Sequence, residues 1–146
     1  MSGIYRNSQL GRSMVEIVGV LAIMMLISAG AFVLIRSGMA SQRRTIVSDD
    51  ISKIVSGIRT LYADYDDLDT LDGPGALAAM GVDTDGPFEG TTYSVAKDNS
   101  NNRRFVVTIS NLPPDECVIL ETKTWPGAVN TTPQCSSNSI SITYNK

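Results

Sequence analysis

Polar and apolar positions along the chain fall into two regimes. From Ile17 to Ile35 the sequence reads IVGVLAIMMLISAGAFVLI, with Ser28 as its only polar side chain. A helix of that composition is apolar around its whole circumference and long enough to cross a hydrocarbon core of ~30 Å. After Arg36 the pattern narrows to a stripe. Val47, Ile51, Ile54, Val55, Ile58, Leu61 and Tyr62 follow the i, i+3, i+4, i+7 spacing of an amphipathic helix. No proline occurs before Pro74, so the pattern predicts one helix from about Ser13 to Tyr62. Its first half suits burial on every side, and its second half suits the back of a globular head.

The remainder alternates between turn chemistry and short elements. The acidic loop DYDDLDTLDGPG (64–75) ends the helix, and ALAAMGV (76–82) predicts a short helix closed by Gly81. TDGPFEG (84–90) has the Gly and Pro of a turn. TTYSVAKD (91–98) and RFVVTISN (104–111) alternate around the polar turn NSNNR and predict a hairpin. In LPPDECVILETKTW the run CVIL reads as a strand or as part of a helix. A helix from about Pro113 to Lys123 is favoured, because proline fits a first turn and Asp115 and Glu116 suit the N-terminal dipole. SISITYN (139–145) is a final strand. The fold class expected is α+β.

Composition narrows the function. The 146 residues hold one small domain beside the apolar segment. Twelve basic and fifteen acidic residues, net −3, are spread along the chain, without the clustered cations of a nucleic-acid surface. There is no histidine, which excludes Ser-His-Asp and Cys-His catalysis and every His-containing metal site. No Gly-rich phosphate loop is present. The expectation is a non-enzymatic protein with no cofactor and no metal. The cluster Asp64, Asp66, Asp67, Asp69 and Asp72 is read as a solvated loop rather than a calcium site. Asn130-Thr131-Thr132 matches a glycan acceptor.

Cys117 and Cys135 are the only cysteines. Behind an export-type N-terminus, an even pair reads as a disulfide in an oxidising compartment. The N-terminus itself is not that of a cleaved secretory signal, since no Ala-x-Ala-like site follows the apolar run. Arg6 and Arg12 precede the run and Arg36, Arg43 and Arg44 follow it, so charge does not choose an orientation. The disulfide places the C-terminal part outside.

Glu16 stands at the mouth of the apolar run, and a carboxylate there is costly unless neutralised. Packed among many copies of the same helix it needs a partner charge. A cut after Gly11 would supply one: the α-amino group of Arg12, with Glu16 then fifth in the mature chain. These residues resemble the type IV prepilin signal. The later segments GPFEGTTYSV and RFVVTISNLPPDECVIL are similar to type IVb pilins. Arg12 departs from the family pattern, which carries an apolar residue there.

The resemblance implies a pilin fold: a helix of ~50 residues packed on a small antiparallel sheet, with a C-terminal loop bounded by Cys117 and Cys135. It divides the chain into a leader (1–11), a membrane or filament-core half-helix (12–35), an amphipathic half-helix (36–62) and a head (63–146). Gly11 would end the leader, cut by a prepilin peptidase, and Arg12 would carry the freed and N-methylated amine. Glu16 would be the assembly carboxylate. The partners implied are other copies of the chain, the inner-membrane assembly machinery, and the membrane before assembly. The implied product is an extracellular type IV pilus serving adhesion, motility, DNA uptake or conjugation. At the neck, Arg36 and Arg43 share a face within reach of Asp49 or Asp50 of a neighbour, and they are read as solvated because exposed pairs contribute only ~0–1 kcal/mol. A type II secretion pseudopilin shares the signal, and a membrane-anchored periplasmic binding module is the rival from another class.

Overall fold

The computed structural model describes residues 8–146 except Thr131, with side chains described from Met14 onward. Helix α1 spans Ser8–Leu61. It starts more than a turn before the expected Ser13, since Gly11 weakens a helix by only ~1 kcal/mol and does not stop it. Two compact units are present, 1–41 and 42–146.

The second unit is an α+β head built on the later turns of α1. Val47, Ile51, Ile54, Val55 and Ile58 are buried and share one core with the sheet. The stripe read from the sequence is therefore the packing face, although Leu61 at its end is exposed. Helix α2 (Gly73–Ala79) begins earlier than ALAAMGV suggested, because Pro74 fits its first turn. Gly73 has a steric reason to be glycine: a Cβ there would lie 2.1 Å from the Val95 carbonyl oxygen.

Strands β1 (Thr92–Lys97) and β2 (Arg104–Ser110) form the expected hairpin. Helix α3 (Pro114–Glu121) resolves the CVIL segment as helix. Strand β3 (Cys135–Ser136) has no counterpart in the sequence reading, and β4 (Ser139–Asn145) is the final strand. The sheet order is β1-β2-β4-β3, antiparallel at every pairing. Register places Val95, Val107 and Ile142 in one cross-strand row and Tyr93, Ile109 and Ile140 in the next. All six are buried, so one face of the sheet is core throughout. Phe105 and Tyr144 pair across β2 and β4 with ring centroids 5.8 Å apart.

The start of the β1 edge and the part of β4 that the short β3 leaves uncovered both have neighbours. On β1, the Tyr93 N–H donates to Thr84 O and Thr91 O accepts from the Gly86 N–H, each at 2.7 Å. On β4, the Val129 N–H donates to Thr143 O at 2.7 Å. The Asn130 side chain completes that edge, accepting from the Thr143 N–H at 2.8 Å and donating to Ser141 O at 2.9 Å.

Cys117 and Cys135 form a disulfide with Cα atoms 5.7 Å apart, tying α3 to β3. It closes a loop of sequence separation 18, worth about 3 kcal/mol in the chain-entropy model. Reduction should lower the melting temperature of the full chain in detergent by about 10–20 °C, read by circular dichroism with and without reductant.

Burial pushes the Tyr144 phenol from 10.0 up to about 12, against a smaller opposing effect of the Arg59 charge. Burial also raises Tyr93, helped by the Asp50 carboxylate that accepts its O–H at 3.3 Å. The folded state therefore holds these protons more tightly than the unfolded chain. The stability they contribute is whole below about pH 10 and declines as pH rises towards 12. Tyr144→Phe should flatten this alkaline loss, measured by urea unfolding between about pH 9 and pH 12.

Candidate functional site

Two features carry chemistry: the apolar half of α1 and the lock that holds α3 to the head. In the first unit the side chains described from Met14 to Leu34 are exposed, Glu16 among them. Glu16 is the one ionisable residue between Met14 and Ile35. Among the described residues it has no ion-pair partner. Ser28 satisfies itself by donating to Met24 O at 2.7 Å, so it adds no polar demand. Gly19 and Gly30 have open space where a Cβ would stand, leaving room for close backbone approach. An apolar window of mean hydropathy 2.7 makes α1 long and apolar enough to cross a membrane. Gly11 and Arg12 lie outside the residues whose side-chain surroundings are described.

In the head, Arg44 and Glu116 form a two-pronged ion pair. Arg44 Nε donates to Glu116 Oε2 at 2.6 Å and Nη2 to Oε1 at 2.9 Å. The Glu116 side chain is 12% exposed and that of Arg44 33%. The hydrogen bond from Arg44 to Glu116 raises the guanidinium pKa, partly offset by desolvation. This pair joins α1 to the first turn of α3, one residue from the disulfide. Lys123, just past α3, donates to Ser48 of α1 as well. Sequence reading gave Glu116 only a helix-dipole role. Its position beside Cys117, on the buried side of a helix whose other face is Val118 and Ile119, was the available signal.

Asp50 is engaged by Tyr93 and by Lys53 at 3.8 Å. The Arg43 guanidinium lies 6.0 Å from the centre of the Phe88 ring, and that of Arg36 lies 4.8 Å from Phe32. In the acidic loop, Asp69 pairs with Lys97 at 2.6 Å and Asp67 accepts the Asp69 N–H. Among the described residues no three of His, Cys, Asp or Glu gather as a metal site would need. The Asn130 amide nitrogen is occupied by Ser141 O, and Thr131 of the glycan triplet lies outside the described residues.

Compared with protein-family models, with curated proteins and with solved structures, the chain finds no significant match.

Removing Arg44 would strand a nearly buried carboxylate. Arg44→Ala should cost about 2–3 kcal/mol, less than the ~3–5 of a fully buried pair because Arg44 is one-third exposed. Arg44→Met combined with Glu116→Leu should recover most of that loss. Urea unfolding of the three proteins checks both statements.

Proposed function

We propose that the chain is a structural subunit, a pilin, that polymerises through α1 into a type IV pilus. The observation that carries this reading is the apolar half of α1, whose side chains are open to the surroundings and include a single carboxylate, Glu16. Such a surface needs a non-aqueous solvent, and two are on offer in the life of a pilin. Before assembly it is lipid; in the filament it is other copies of the helix, packed through van der Waals contact and small residues.

Glu16 sets the register of that packing. Cleavage after Gly11 by a prepilin peptidase frees the amine of Arg12, and a neighbour's Glu16 accepts it. The pair is retained because either charge alone would be desolvated without compensation. The α+β head, locked by Arg44–Glu116 and by the disulfide, supports this reading as a unit suited to life outside the cytoplasm. The protein thus passes from a single-span inner-membrane precursor, through the assembly machinery, to the cell exterior.

Glu16→Ala should leave membrane insertion and leader removal intact but abolish or sharply reduce filaments. Gly11→Trp should retain the leader, seen by mass spectrometry as a chain that still carries residues 1–11. Electron microscopy of cell shearates reads the first result. Normal filaments from Glu16→Ala would remove the pairing, and an absence of filaments from the parent chain would favour an anchored binding module.

A further inference from the structure

A cavity of about 590 Å³ opens where the last turn of α1, the turn between β1 and β2 and the end of β4 come together. It is an open depression rather than an enclosed cavity, since every lining residue except Lys146 is exposed. Arg59, Arg103 and Lys146 line it, and Asp66 is the only acid that does so. None of the three cations has a carboxylate partner among the described residues. That is notable in a chain where acids outnumber bases fifteen to twelve.

The two amides of the lining point the same way. Asn101 Oδ1 accepts the Arg103 backbone N–H at 2.9 Å, and Asn145 Oδ1 accepts from Arg104 Nε at 3.1 Å. Both partners can only donate, so both oxygens are fixed inward on the protein. Each amide is left with its NH₂ group, which donates to no protein acceptor among the described residues. Arg59 spends Nε on Asn145 O at 3.1 Å and keeps its other N–H groups. The lining is therefore rich in donors and poor in acceptors, which selects for an acceptor-rich, negatively charged group.

We propose that this cavity binds an anionic saccharide, a carboxylated or sulfated sugar, with Arg59, Arg103 and Lys146 on the acid group. Tyr65 lines the same cavity with its ring exposed, giving a pyranose an apolar surface to lie against. A single concave site on a chain of net charge −3 favours a small acidic sugar over a nucleic-acid backbone, which needs an extended basic track. The lining belongs to the head alone, so failure to bind and failure to form filaments are separate results.

The test is isothermal titration of the full chain in neutral detergent micelles with a sulfated heparin disaccharide, with digalacturonate and with maltose. At least one acidic disaccharide should bind and maltose should not; the preferred one identifies the acid as sulfate or carboxylate. Arg103→Gln should weaken binding about tenfold, as loss of a charged hydrogen bond does, with an unchanged far-ultraviolet dichroism spectrum. Lys97→Gln, on the cation already paired with Asp69, should bind as the parent does. The proposal is overturned if neither acidic disaccharide binds at millimolar concentration or if Arg103→Gln binds unchanged. It is equally overturned if inorganic sulfate or a short single-stranded oligonucleotide binds as tightly as the sugars.

Discussion

The need of the first half of α1 for apolar surroundings is the constraint on which everything else rests. A helix with apolar side chains on every face buries none of them by itself in water, and no described part of its own unit covers them. Its stability comes from whatever surrounds it. The head, in contrast, carries a complete core of its own, from Val47 on α1 to Tyr144 on β4. One chain thus contains a part that is stable wherever the head goes and a part that is stable only in apolar company.

That division explains where the strong contacts lie. Small heads bury too little apolar surface to be robust by packing alone. Here the hydrophobic core is supplemented twice at one place: a disulfide and a two-pronged ion pair act on adjacent residues of α3, Glu116 and Cys117. Together they fix a helix that otherwise offers only Cys117 and Leu120 as apolar anchors. Val118 and Ile119 on its other face remain exposed. The ion pair adds direction, since a guanidinium fork accepts a carboxylate in one orientation.

Much of this was legible in the residues, for reasons that can be named. The apolar run and the amphipathic stripe predicted α1, alternation around a polar turn predicted β1 and β2, and SISITYN was legible as β4, with nearly their observed limits. The Pro-Pro-Asp-Glu start resolved an ambiguous run in favour of α3. Strand β3 escaped because two residues show no alternation. Its turn also lacks the usual Asn-Gly: Ser137 and Asn138 both adopt positive φ, 50° and 59°, without a glycine. The partner of Glu116 escaped because Arg44 is 72 residues away, a distance over which periodicity says nothing. The cationic cavity was hidden for the same reason, its residues being drawn from three separate segments.

The side chain of Asn130 has a consequence for association. By imitating a strand against β4, it closes the one long edge that β3 is too short to cover, while the 84–86 segment occupies the edge of β1. The start of β1 and the later part of β4 are therefore closed to strand addition among the described residues. For a protein proposed to be crowded against its own copies, that protection disfavours β-strand pairing at these two places and leaves the apolar helix face to carry self-assembly.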